Sequence, residues 1–449
     1  MISNVGASRP RLSEHVVLVS IDGLRPHIYR DERWPAPVLH ELALRGAIAL
    51  DVRSVFPALT YPAHTTIVTG ALPARHGIVD NEPFEPVTRS GRWMWEASAI
   101  RQPTLWKAVR SAGGTTAAIS WPVSLGADID WNVPDVWLPA NPASIAPIRA
   151  ATTPPGLFEE LELQATGRLS DASFSVDSVG REDAVGAMAA YLFARHTPTL
   201  MLVHIIGLDH VRHRLGRDNP RARRAVAAAD RALARIVETI EWLDLIDWTT
   251  FVVIGDHGSV DVHTALLPNV WLRDAGLTPA RVSEDDWRAY FHGSGGSAFL
   301  HVQSPSGTKQ AADTVSEVRA ALAALPPGVR SMFEILERPE LDRLGADPEA
   351  ALALAASPGV VFSSDRDGAA VQAAHGAGHG YLPAMEDMMT GFLAAGAGVR
   401  AGAVVPLLPL EHVAPFIAAL LGLDFADVDG TLLPGLLAAT PEVAPLRRP

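Results

Sequence analysis

His15–Asp22, HVVLVSID, is a β-branched apolar run that ends on Asp-Gly, the pattern of a buried strand meeting a loop. Two further stretches repeat it: TLMLVHIIGLDH (Thr199–His210) and TTFVVIGDHG (Thr249–Gly258). Each run stops at an aspartate. Such near-continuous strands, separated by amphipathic stretches such as PAPVLHELALRGA and RRAVAAADRALARIVETIEWL, predict an α/β protein with a largely parallel sheet and helices on both faces. Ligands bind beyond the carboxyl ends of the strands in sheets of this kind, where Asp22, Asp209 and Asp256 are expected.

The 449 residues suffice for one large domain with insertions, and 48% hydrophobic against 19% charged residues describe a globular chain. From Ser259 to Ala374 the strand–helix rhythm weakens: GSGGSAFLHV reads as a strand, and SEVRAALAAL and DPEAALALAAS as helices. We therefore expect a catalytic domain over 12–258 and 375–440, with a smaller inserted subdomain over 259–374.

The net charge of −13, from 37 basic and 50 acidic residues, leaves no footprint for duplex nucleic acid. Any bound anion needs a local positive centre. With no cysteine, a metal could be held only by His, Asp or Glu. The N-terminus has no apolar signal region and the first apolar run is too short for a bilayer, so the expectation is a cytoplasmic protein without a membrane partner.

In an apparent helix, Asp209 and His213 at i and i+4 share one face. Alone the pair means little in a chain with 16 histidines. Asp256-His257 follows a strand and precedes Gly258, and HGAGHGY offers His375 and His379 in a glycine-rich loop. Together with Asp22 these candidates exceed one tetrahedral site, so two ions are expected. Three carboxylates against two divalent ions leave a net positive charge suited to an anion.

In ALTYPAHTTIVTG, Pro62 suits a first helical turn and Thr60 lies just before it. Thr60 is the expected nucleophile, with a plain helix cap as the alternative. Thr65, Thr66 and Thr69 read as helix-interior hydroxyls that bond the preceding turn, and His64 and His76 as structural. Trp121 and Trp131 read as core or cleft wall.

These motifs, VSIDGLRP, FPALTYPAHTTIVTGALPARHGIVDN, GLDHVRHRLG, VVIGDHGS and HGAGHGY, resemble the nucleotide pyrophosphatase/phosphodiesterase branch of the alkaline phosphatase superfamily. The resemblance runs through most of the chain in order, including ISWPVSLGADIDWNVPDVW (Ile119–Trp137), and is loose over 259–374. It implies an alkaline-phosphatase-like fold and two Zn2+ ions, one held by Asp22, Thr60, Asp256 and His257, the other by Asp209, His213 and His379. It also makes Asn81 a donor to a phosphoryl oxygen, and Leu59, Tyr61, Leu208 and Trp121 a wall for a second substituent.

The implied activity is hydrolysis of phosphodiester or nucleotide pyrophosphate bonds through a phospho-threonine, acting on a small phosphate ester or nucleotide. The alternatives are a phosphonate or phosphomonoester hydrolase on the same scaffold, and an inactive metal- or phosphate-binding homologue. Two departures bear on the substrate. The family usually has an acidic residue and proline before the aspartate and glycine before the first histidine, where this chain has Gly207-Leu208 and Arg212. Its usual Tyr-Asp-Asn after the last histidine is Tyr381-Leu382-Pro383 here.

Overall fold

The computed structural model describes residues 10–438 apart from Arg89, Val179 and residues 280–285. The expected domain end at 440 lies outside the described residues. Eight strands form the main sheet in the order Val404–Pro409, Ala47–Arg53, Phe392–Gly396, Thr249–Ile254, His15–Ile21, Leu200–Ile205, Thr116–Ile119 and Trp131–Val133. All run parallel except Phe392–Gly396, which is antiparallel to both neighbours.

The three apolar runs are central neighbours, with Leu18 opposite both Leu202 and Val252. Their unbroken hydrophobicity has a direct cause. Val17, Val19 and Ile21 pack on one face with the helices Arg181–His196 and Pro220–Trp242. Val16 and Leu18 face the other side, against Thr60–Thr69, Leu105–Ser111 and Val413–Leu420. A strand covered on both faces has no position for a polar alternation.

Within 259–374 lies a second, antiparallel sheet: Phe333–Glu337, Leu352–Ala356, Ser297–Val302 and Ala289–Ser294. DPEAALALAAS, expected to be a helix, supplies the interior strand Leu352–Ala356 instead. Every residue of that strand is buried, and pairing on both edges overrides the helical preference of Ala and Leu. Gly296 N–H donates to the His379 carbonyl and Gly380 N–H to that of Ala58, so this sheet buttresses the His379 loop against the segment preceding Thr60. No helix among the described residues is long and apolar enough to cross a membrane.

Candidate metal and phosphoryl-transfer site

The strands His15–Ile21 and Thr249–Ile254 deliver Asp22 and Asp256 side by side. Gly23, at φ +71°, turns the first chain so that its N–H donates to Asp256 Oδ1 at 3.0 Å. His257 donates Nδ1–H to the Gly258 carbonyl at 3.0 Å, which leaves Nε2 as an acceptor. That atom lies 3.1 Å from Asp256 Oδ2, 3.5 Å from Asp22 Oδ1 and 3.3 Å from Thr60 Oγ1.

Asp209 and His213 sit on the helix Gly207–Leu215, with His213 Nε2 3.0 Å from Asp209 Oδ2. His379 donates Nδ1–H to the Ala58 carbonyl and presents Nε2 to His213 Nε2 at 3.0 Å. Its ring stacks on His257 at 3.7 Å. Ligand atoms of Asp22, Asp256 and His257 lie within 4.8 Å of one another, as do those of Asp209, His257 and His379. His257 belongs to both groups. His375 is exposed and joins neither.

Acceptors crowd against acceptors here, and divalent cations fit that donor set. Asp22 Oδ1 and Asp256 Oδ2 are buried without a hydrogen-bond partner. Burial, then the charges of Asp256 and Asp209, push Asp22 well above the usual carboxylate range, and burial likewise raises Asp256. Burial also acts on Asp209, but the neighbouring His213 outweighs it and holds that carboxyl low. Desolvation keeps His257 and His379 neutral, at about 4 and about 3, the state in which imidazoles ligate metals.

Thr60 opens the helix Thr60–Thr69 at its first residue. Leu59 occupies the cap position, so the Thr60 hydroxyl does not cap the helix and stays beside His257. Asn81 caps from outside: its Oδ1 accepts the Tyr61 N–H at 2.9 Å. Thr65 and Thr69 bond the carbonyls one turn back, whereas Thr66 pairs with His76. His64 bridges the Thr60 carbonyl and Ser20 beneath the nucleophile.

A cavity of about 460 Å³ opens beside Thr60, lined by Tyr61, Trp93, Trp137, Asp135, Phe174 and Arg181 among others. Leu59 lines a second cavity that reaches Asn81 and His379. Two of the expected wall residues are elsewhere. Trp121 is fully buried edge-on to His64, and Leu208 packs into the core with the central strands, so neither faces a substituent. Arg212 donates to the Gly23 carbonyl at 2.6 Å and Arg25 pairs with Asp387.

Asp135 lies in the stretch Ile119–Trp137 that carries the resemblance, which gives it no role, and neither Arg181 nor His204 is a candidate on sequence. His204 donates Nδ1–H to the Ser120 carbonyl, and its Nε2 stands 3.3 Å from Asp22 Oδ2. A histidine inside an apolar strand was its one signal.

The family model for type I phosphodiesterase / nucleotide pyrophosphatase matches residues 16–382. Human ectonucleotide pyrophosphatase/phosphodiesterase family member 5 is 24% identical over 254 residues, 55% of this chain and 45% of that protein. An uncharacterized pyrophosphatase/phosphodiesterase of Schizosaccharomyces pombe is 25% identical over 61% of this chain and 50% of its own length. The chain thus spans about half the length of the curated relatives it matches.

The solved structure of the human family member 5 superposes with a TM-score of 0.67 at 20% identity, covering 95% of this chain and 100% of that one. An inactive threonine-to-alanine variant of the murine protein in complex with AMP gives 0.64 at 19% identity, over 95% and 100%. The fold is the alkaline-phosphatase-like α/β architecture, with a largely parallel central sheet between helical layers.

Proposed function

The chain belongs to the type I phosphodiesterase / nucleotide pyrophosphatase family, and on that premise we propose that it is a metal-dependent hydrolase that cleaves phosphodiester or nucleotide pyrophosphate bonds through a phospho-threonine. The observation that carries this reading is Thr60: a hydroxyl at a helix start, free of capping duty, 3.3 Å from His257 Nε2 at the edge of the Asp–His cluster. The relative bound to AMP in an inactive threonine-to-alanine form supports a nucleotide-type substrate.

Asp22, Thr60, Asp256 and His257 would hold one divalent ion and Asp209, His213 and His379 another, zinc by family resemblance, and such ions supply positive charge that acidifies a hydroxyl and neutralises phosphoryl oxygens. Thr60 Oγ, having lost its proton to solvent, attacks phosphorus in line while the ester oxygen opposite departs with the bonding pair. Asn81 is fixed through Oδ1 on Tyr61 N–H, so its amide N–H groups donate to a phosphoryl oxygen as charge grows there. Amides of the first helical turn add partial positive charge. Water then attacks the phospho-threonine and releases the free hydroxyl.

A panel of nitrophenyl mono- and diesters, nucleotides and phosphonates on zinc-loaded protein, with a chelator control, tests the reading. Turnover of diesters that stops on chelation supports it. A phosphoryl group trapped on a residue other than Thr60 would overturn the mechanism.

A further inference from the structure

The cavity beside Thr60 carries four aromatic rings, Tyr61, Trp93, Trp137 and Phe174, and, apart from Asp22 and Asp209 of the metal cluster, one further carboxylate, Asp135. Tyr61 meets Trp93 edge to face at 5.1 Å, and Trp93 meets Trp137 at 4.8 Å. Asp135 stands in this wall, partly buried, and the Tyr61 hydroxyl donating to its Oδ2 at 3.1 Å is its hydrogen-bond partner among the described residues. An ionised carboxylate accepts several hydrogen bonds, so Asp135 keeps acceptor capacity beyond the one bond from Tyr61 and can offer it to a ligand in the cavity.

The charge is deliberate in its placement. Tyr61 follows the nucleophile directly and is tied at both ends, by its N–H to Asn81 and by its hydroxyl to Asp135. Burial lifts the Asp135 carboxyl to about 6, with Arg181 opposing that rise, which leaves it largely ionised at neutral pH. Arg181 is itself held, by Ser120 at 3.3 Å, by the Phe174 ring at 5.1 Å and by Glu182 at 3.7 Å.

We propose that Asp135 is a specificity-determining residue that selects phosphate esters whose substituent is planar or apolar and carries a neutral hydrogen-bond donor, an amide-type ring N–H, amino or hydroxyl group. The aromatic rings take the flat body of the substituent and Asp135 accepts from its polar edge. Arg181, a cation in the same wall, opposes a cationic substituent. This rests on the phosphodiesterase reading above.

The test compares two esters with one leaving group: the 4-nitrophenyl ester of thymidine 5′-phosphate, whose base and sugar carry donors, and 4-nitrophenyl phenyl phosphate, which has none. In Asp135→Asn the amide oxygen still accepts from Tyr61 but the second acceptor becomes a donor. We expect kcat/KM for the thymidine ester to fall about tenfold or more and that for the phenyl ester to stay within about twofold. Equal losses on both esters, or none on either, overturn the proposal. If the parent cleaves neither ester, the phosphodiesterase reading fails separately. Calorimetric binding of thymidine 5′-phosphate and of phenyl phosphate then decides: a loss confined to thymidine 5′-phosphate in Asp135→Asn supports selection by Asp135, and unchanged or parallel affinities refute it.

Discussion

Asn81 reaches across from its own loop to accept the Tyr61 N–H at 2.9 Å, so it caps the helix that begins at Thr60. Only the acceptor end of the amide is used, and no described residue engages its N–H groups. A residue so placed both seats the nucleophile and keeps two donors for substrate.

Asn81→Ala should therefore lower kcat by about 10²–10³ fold, the usual effect of deleting one oxyanion donor. It should also cost about 1 kcal/mol of stability from the lost cap. Asn81→Asp separates these roles, because a carboxylate still caps Tyr61 N–H but cannot donate. Full activity in Asn81→Asp, measured alongside its melting temperature, would reduce Asn81 to a structural cap.

Thr60→Ala removes a hydroxyl that makes no capping bond, so its melting temperature should stay close to the parent's. Activity should be abolished while phosphate-ester binding persists. Turnover within tenfold of the parent would exclude covalent catalysis at this position.

Metal content follows from the crowding of Asp22, Asp256, Asp209, His257, His213 and His379. Elemental analysis should find about two divalent ions per chain, in keeping with two-metal hydrolases. Chelation should lower the melting temperature as well as activity, since removing the cations leaves carboxylates facing one another without solvent. Full activity after exhaustive chelation would defeat the metal-dependent mechanism.

Gly258 has no room for a side chain: a Cβ there would come 1.9 Å from the Asp387 carbonyl oxygen. Its own carbonyl accepts His257 Nδ1–H. Gly258→Ala should displace that loop, lowering stability by about 1–3 kcal/mol and weakening zinc binding together. Unchanged zinc affinity by competition titration would show that the His257 orientation does not depend on this backbone.

The sheet was legible because its three central strands are covered on both faces, which writes an unbroken apolar run ending at an aspartate. The antiparallel Phe392–Gly396 strand was not, since its slot between Ala47–Arg53 and Thr249–Ile254 depends on pairing across distant chain segments. Leu352–Ala356 misled because Ala and Leu favour helix locally and only its two partners make it a strand. The site shows the same division. Acidic and histidine residues at strand ends announce themselves through glycine and spacing, whereas Arg181 lies outside every motif and Asp135, though inside Ile119–Trp137, gains a role only from the wall that surrounds it. Trp121, read as core or cleft wall, lies in the core edge-on to His64, so the substituent wall that the resemblance implied does not include it.

Phosphodiesters should be better substrates than the matched monoesters. The cavity beside Thr60 presents Tyr61, Trp93, Trp137 and Phe174 to whatever second substituent the phosphorus carries. Burying a phenyl-sized group against such walls contributes about 2 kcal/mol, which corresponds to roughly thirtyfold in kcat/KM if it is realised in the transition state. A monoester forgoes that burial and brings a second negative charge toward a wall containing Asp135. Arg25 and Arg212 are spent on Asp387 and on the Gly23 carbonyl, and Arg214, which lines the cavity, pairs with Asp177. The expected result is a kcat/KM for bis(4-nitrophenyl) phosphate at least tenfold above that for 4-nitrophenyl phosphate. A monoester that outpaces the diester would mean that the site favours the dianion, and the phosphomonoester hydrolase assignment would replace this one.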